Sequence, residues 1–350
     1  MAENTVRQWS FLAGAAAPNW RAAVDPWVYN EYTDGRKNPR IYNQFDNSAG
    51  GRELVQWLLQ QHPHERWSRK EGLAMKTVLM ADPVRYPRMT TQELRDTFLI
   101  GGLFHAGSIQ LAYVDLDRAV AGMAVPLDAP LTLPTSAELR AEFFTERREL
   151  GVLNIGAPGV VHVGASSYPL NNLDLLYIGR GNAEVLFESR SGGSPAAFYL
   201  LSYPAHATYP VTLVKKEEAQ PAELGSVETC NRRTVYKYIH LAGAKSCQLV
   251  MGVTHLQSGS AWNTMPAHTH MRRSEIYLYF DVAEGARVFH FMGPPQETRH
   301  IIMANRDLVV SPGWSIHAGV GTQAYKFCWG MGGENQDYAD MDPAPLESLR

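Results

Sequence analysis

An all-β fold of two stacked barrels with a few short helices is the architecture this 350-residue sequence predicts. Three observations carry that expectation. Short apolar stretches broken by glycine recur through the middle of the chain, around Val152–Ile155, Val160–Val163 and Leu175–Ile178, and strands at such spacing belong to sandwiches and barrels. The run Asn172-Leu173-Asp174-Leu175-Leu176 is echoed by Asn305-Arg306-Asp307-Leu308-Val309, as if one unit occurred twice. Glu275-Ile276-Tyr277-Leu278-Tyr279-Phe280 reads as a strand with Glu275, Tyr277 and Tyr279 on one face.

Composition removes several classes of function. Hydrophobic residues make up 45% and charged residues 19%, as in ordinary globular proteins. A net charge of −3 offers no surface for a polyanion, so nucleic acid is not an expected partner. No apolar run approaches the ~20 residues of a membrane span, and no membrane partner is expected. The patch Phe11–Ala17 is followed at once by Pro18 and lacks a basic leader, so it is not read as a signal peptide. The three cysteines, Cys230, Cys247 and Cys328, are widely spaced with no CxxC, which fits a reducing, cytoplasmic compartment. Cys247 and Cys328 are expected as small core residues.

Residues 1–74 differ in character from the rest of the chain. Five of the eight tryptophans fall there, and nine Lys/Arg against eight Asp/Glu make it no basic arm. Gly51–His62 has the spacing of one short helix; the remainder is broken by proline. The segment is expected to be an extension of little order or a mis-assigned start. Lys70-Glu71-Gly72 can be encoded by a purine-rich ribosome-binding sequence, and Leu73-Ala74 would space it from a true start at Met75.

Residues 75–228 form the first expected barrel, without metal. Thr90-x-x-Glu93 is a capping box opening a helical run to Ile100, and Thr135-x-x-Glu138 is a second before Leu139, Phe143 and Phe144. Ile109, Leu111 and Tyr113 alternate as a strand. Ten residues beyond the aspartate of each repeat stand Glu184 and His317, and upstream in the first copy Glu146-Arg147-Arg148-Glu149 replaces any His-x-His. His206 is read as a linker histidine and Lys215–Pro221 as a solvated connector.

Residues 229–350 carry the chemistry. His268 and His270, one residue apart in an extended segment, share a face. A bend over Met271–Ser274 returns Glu275 to them, and Ser311-Pro312-Gly313 turns the chain toward His317. Three imidazoles and a carboxylate suit zinc, iron, manganese or nickel without choosing among them. No cysteine stands beside the cluster, so a site with an open position is expected rather than a closed structural one. Arg232 and Arg233, and equally Arg272 and Arg273, are candidates to grip a carboxylate. Tyr279 and Trp314 are expected to line the cavity.

The pattern H-x-H-x4-E … P-G-x3-H resembles the signature of the cupin superfamily. Thr229–Tyr238, Ser246–Leu249, Trp262–Glu275, Gln296–His300, Trp314–His317 and Trp329–Asp337 together closely resemble the 5-keto-4-deoxyuronate isomerases, or 4-deoxy-L-threo-5-hexosulose-uronate ketol-isomerases, from about Met75 onward. The resemblance implies a bicupin and aldose–ketose isomerisation of a small uronate in pectin breakdown. It also implies one zinc per subunit on His268, His270, Glu275 and His317, and a homohexamer. The tail Trp329–Met341 is read as a closing loop, which the resemblance also links to oligomer contacts. The base of such a reaction stays open among Glu297, His300, Tyr277 and Lys237. The competing readings are an iron-dependent oxygenase using the same ligand set and a cupin that binds a sugar acid without catalysis.

Overall fold

The computed structural model describes residues 75–334 and 337–350. They belong to one compact unit, Leu73–Arg350. The expectations for residues 1–74, the helix at Gly51–His62 and the leader included, lie outside the described residues.

The described residues open with β1 (Lys76–Val78), α1 (Thr91–Phe98) and β2 (Leu99–Ile100). Then come β3 (Ser108–Val114), β4 (Val120–Val125), β5 (Leu131–Thr132), β6 (Arg148–Asn154) and β7 (Gly159–Val163). Next are β8 (Ser166–Leu170), β9 (Leu175–Ile178), β10 (Val185–Ser189), β11 (Phe198–Pro204) and β12 (Thr212–Val214). The second half supplies β13 (Ala222–Leu224), β14 (Arg233–Ile239), β15 (Val250–Leu256), β16 (Trp262–Asn263), β17 (Ala267–Thr269) and β18 (Arg273–Phe280). It ends with β19 (Val288–Gly293), β20 (Arg299–Met303), β21 (Leu308–Ser311), β22 (Ile316–Gly321), β23 (Lys326–Gly333) and β24 (Asp342–Ala344).

These strands build the same assembly twice. A seven-stranded sheet β1-β3-β4-β11-β6-β9-β12 faces a four-stranded sheet β5-β10-β7-β8. The second pair is β13-β14-β15-β23-β18-β21-β2 with β16-β22-β19-β20. The expected all-β class is the one the described residues adopt.

The short sequence repeat marks equivalent turns. Leu173 and Arg306 both adopt left-handed φ, at 68° and 69°. The following aspartates accept a backbone N–H three residues upstream, Asn171 to Asp174 and Ala304 to Asp307, each at 2.8 Å. Each turn then exchanges two backbone hydrogen bonds with a long central strand, at Asn154 in β6 and at Tyr279 in β18. Four residues before those anchors stand Leu150 and Glu275. Leu150 is fully buried with Val152, Val161, Leu176, Phe187 and Phe198 between the sheets of the first unit. Apolar side chains occupy there the place that the second unit gives to a carboxylate.

The two helical signals had different outcomes. At α1 the box closes as expected: Glu93 N donates to Thr90 Oγ1 at 3.2 Å, and Thr90 N to Glu93 Oε2 at 2.7 Å. The helix stops at Phe98 because Leu99 and Ile100 pair with Val309 and Leu308 on the open edge of β21. At the second box, Thr135 Oγ1 instead donates to the Ala141 carbonyl, and Arg140 at φ 48° ends a single 3-10 turn, Ala137–Leu139. The division expected near residue 228 is also crossed, since β2 and β13 both complete the second seven-stranded sheet.

The long sheets pack on each other through Leu153, Tyr177, Leu201, Met251, Val253, Ile276, Leu278 and Cys328. Glycine permits the close approach: a Cβ on Gly332 would collide with the Tyr203 ring. Glu149, fully buried on β6, is the polar tie across this seam. Its carboxylate accepts from Tyr177 Oη (2.8 Å) and from the backbone N–H groups of Cys247, Gln248 and Leu249 (2.7, 2.9 and 2.8 Å). Removing it would strand several buried donors. Glu149→Ala is expected to lower unfolding free energy by about 3–5 kcal/mol in urea titration; a loss under about 1 kcal/mol would show that water replaces the carboxylate.

Candidate metal centre

Three strands, β17, β18 and β22, bring the site together. β17 pairs with β24 near the C-terminus, placing His268 opposite Pro343, and His270 follows one residue beyond it. Glu275 stands on β18 between Ser311 of β21 and Met331 of β23. His317 stands on β22 opposite Met292. The Pro312-Gly313 turn packs against the histidine segment: His270 N donates to the Gly313 carbonyl at 3.2 Å. A Cβ on Gly313 would come within 2.6 Å of the His270 carbonyl, so the turn needs glycine.

The side chains converge as the spacing predicts. His268 Nε2 lies 3.1 Å from His270 Nε2 and 2.9 Å from His317 Nε2. Glu275 Oε2 lies 3.1 Å from His270 Nε2 and 2.8 Å from His317 Nε2. All four donor atoms lie within 4.8 Å of one another. His270, Glu275 and His317 are buried while His268 is half-buried, so the cluster opens on the His268 side. Burial and the neighbouring His317 push His268 down to about 2. Burial alone would raise Glu275, but the adjoining His317 and His270 rings hold its carboxyl well below the usual range. Neutral imidazole and ionised carboxylate are the forms that ligate. Neighbouring donors on a cation with bonds of ~2.1 Å lie roughly 3.0–3.4 Å apart, so the residues present fit a divalent ion.

The C-terminal tail sets one ligand's tautomer. His270 Nδ1–H donates to the Asp340 carbonyl at 2.8 Å, which leaves Nε2 for the cluster. Arg272 Nε donates to both carboxylate oxygens of Asp340 at 2.8 Å and also reaches Asp342. Arg273, buried, donates to the carbonyls of Asp337, Tyr338 and Asp340. These two arginines, expected as carboxylate grips, are thus engaged in fastening the tail. Arg232 is exposed. Arg233 is half-buried on the inward row of β14. It donates to the Asn231 carbonyl at 2.9 Å and feels Tyr338, Tyr277 and Tyr325. Among the described residues no carboxylate lies within ion-pair reach of Arg233.

The base candidates separate in the same way. Glu297 and His300 are exposed, with the His300 ring 5.7 Å from that of Phe289, and the structure does not bring them to the cluster. Tyr277 is buried with its ring 5.6 Å from that of His317 and its hydroxyl 3.0 Å from Thr264 Oγ1. Lys237 stands in one cross-strand row with Gly252, Trp329 and Tyr277. Its ammonium lies 5.0 Å from the Tyr338 ring centre. Trp314, expected in the cavity, packs on Tyr86 and Phe98 instead, at 5.3 and 6.3 Å. Tyr279 faces inward, and its hydroxyl meets His290 Nδ1 at 2.8 Å.

Tyr338, Asn263 and His290 were not among the expected site residues. Tyr338 lies among loop residues with no periodicity to mark it. His290 could have been noticed from its place between Val288 and Met292 in an alternating strand, where an inward histidine is unusual.

The comparisons with known proteins agree with this geometry. Residues 105–345 match the model of the KduI/IolB family. The chain belongs to this family. It is 51% identical over 270 residues to a 4-deoxy-L-threo-5-hexosulose-uronate ketol-isomerase of Lachnoclostridium phytofermentans, covering 77% of this chain and 98% of that protein. A protein of the same name from Opitutus terrae is 50% identical over 278 residues, covering 79% of this chain and 100% of the other. An IolB-like protein of Salmonella typhimurium shares the fold at TM-score 0.54 and 15% identity, over 69% of this chain and 94% of that one.

If the tail orients His270, Arg272→Ala should weaken zinc binding about tenfold in competition with a chromophoric chelator; unchanged affinity would assign the tail to packing alone. Burial holds His290 at about 3, so the folded state keeps it neutral where the unfolded chain, near 6.5, takes a proton. The folded state then binds fewer protons, and stability falls as pH falls from 6.5 toward 3. Between pH 6.5 and 5, metal-free protein should lose about 2 kcal/mol more than a His290→Gln variant; parallel pH profiles in chemical denaturation would contradict this.

Proposed function

We propose that this chain is a metal-dependent aldose–ketose isomerase of uronate catabolism. It converts 5-dehydro-4-deoxy-D-glucuronate, also called 4-deoxy-L-threo-5-hexosulose uronate, to 3-deoxy-D-glycero-2,5-hexodiulosonate. The observation that carries this reading is the buried His268–His270–Glu275–His317 cluster in a chain half identical to ketol-isomerases over nearly their whole length. Zinc, one ion per subunit, is the metal we assign, on the resemblance to the uronate isomerases; three imidazoles and one carboxylate accept zinc but do not select it over iron, manganese or nickel. A homohexamer in a reducing cytoplasm completes the proposal. Leu79, Val84 and Met271, exposed at 68%, 70% and 66%, offer apolar surface for self-association.

The reaction moves two protons and no atoms heavier than hydrogen. The proton on C2 passes to C1 through an enediol, while the C2 hydroxyl proton passes to the C1 oxygen. The aldehyde becomes a hydroxymethyl group and the C2 hydroxyl a ketone. A metal ion at the cluster supplies Lewis-acid polarisation of the substrate oxygens. Arg233, the inward guanidinium with no carboxylate partner among the described residues, is assigned to the uronate carboxylate, where a paired grip fixes the sugar's direction. Tyr277 is pushed well above the usual phenol range by burial and then by Glu275, so it keeps its proton and serves as a hydrogen-bond donor to a substrate oxygen. Lys237, in the same row, places positive charge where enediol oxygens gain negative charge.

Chelator-stripped protein should lose turnover of 5-keto-4-deoxyuronate and recover it when zinc is added. Oxygen uptake with Fe(II), or recovery of bound uronate unchanged, would transfer the assignment to an oxygenase or a binding protein. Arg233→Ala should raise KM and lower kcat/KM about a hundredfold, equivalent to some 2–3 kcal/mol for a lost charged hydrogen bond; an unchanged KM would remove Arg233 from substrate binding.

A further inference from the structure

A second concave site lies away from the metal cluster, where the two long sheets meet. Its cavity, about 430 Å³, is lined by Arg118, Arg147, Arg180, His206, Pro204 and Gln248, a volume that suits a small metabolite. Every ionisable group on that lining is basic. Arg118 is exposed, and its side chain makes no hydrogen bond or ion pair among the described residues. Arg180 spends one N–H on the Ala205 carbonyl at 3.0 Å. Arg147 reaches its neighbour Glu146 at 3.0 Å, the one carboxylate that any of these groups holds among the described residues. Arg148, buried, donates to the Arg118 carbonyl and to Ser202, all uncharged oxygens, so its charge adds to the local field.

The nearby carboxylates are committed elsewhere. Glu149 is enclosed by its four donors across the seam. Asp117 accepts from Ser274 N at 2.9 Å, one residue before the metal-cluster residue Glu275. The backbone here is strained as well. Asp117 and Arg118 are consecutive non-glycine residues at φ 48° and 52°, a conformation that persists where surrounding structure enforces it and that gathers at functional sites. That turn sends Asp117 into the metal-bearing unit and Arg118 to the cleft.

We propose that this cleft binds a small multivalent oxyanion, a phosphorylated or polycarboxylate metabolite, held by Arg118, Arg147 and Arg180 with His206 at the rim. Planar guanidinium groups converging from three separate segments match such a ligand, since each can offer a paired donor fork. Bound there, the anion bridges the turn after β3, the start of β6 and the loop after β9.

The test is isothermal titration of the full zinc-loaded chain with inorganic phosphate and, separately, with tricarballylate, at constant ionic strength with chloride as the reference. Saturable binding of either anion is expected, weakened at least tenfold by Arg118→Gln and further by Arg118→Gln combined with Arg180→Gln. Arg118→Gln breaks no described contact, so its folding and isomerase turnover should match the parent. Preference for phosphate or for tricarballylate identifies the ligand's acid group. Binding no stronger than that of chloride, or equal affinity in both variants, would overturn the proposal.

Discussion

The structure depends on two seven-stranded sheets lying face to face with one buried carboxylate between them. β18 is buried along its whole length because one face looks into its own unit and the other onto the first unit. Such a strand cannot alternate in polarity unless its polar residues have work to do. Glu275 has the donor cluster, and Tyr279 has His290. Glu149 is the corresponding case at the seam, where a carboxylate is tolerable because four donors surround it. The His268–His270–Glu275–His317 cluster therefore rests on a floor held rigid by packing from behind.

That arrangement explains why two similar units have different chemistry. The turns at Asp174 and Asp307 are built alike, and the strands they open take equivalent places in their sheets. What differs is the filling. Leucine, valine and phenylalanine occupy the first unit, and no donor cluster for a metal appears there among the described residues. The second unit trades part of that core for histidine, tyrosine and asparagine, each needing a hydrogen-bond partner or a ligand. The first unit carries the packing and the second the site.

Much of the site was legible in the sequence because its residues obey local rules. His268 and His270 follow strand alternation, Glu275 opens an alternating strand, and Pro312-Gly313 announces the turn that delivers His317. The roles of the arginines were not legible. Arg232, Arg233, Arg272 and Arg273 look alike in a string, and only the path of the tail shows that two of them hold Asp340 while Arg233 turns inward. The second capping box failed for a similar reason: Thr135 found a carbonyl closer than the helix it was expected to start. The boundary near residue 228 was obscured because nothing in Leu99-Ile100 says which edge it will join.

That exchange of β2 has a consequence for how the protein is made. The edge strand of the second unit emerges from the ribosome some two hundred residues before its partner β21. Until then Leu99 and Ile100 have no ladder to join, and Tyr86 and Phe98 have no Trp314 to cover. A C-terminal fragment made alone would present β21 as a bare, apolar edge open to other chains. The two halves are thus one folding commitment, and the isomerase site is assembled only once β24 has been added to pair with β17.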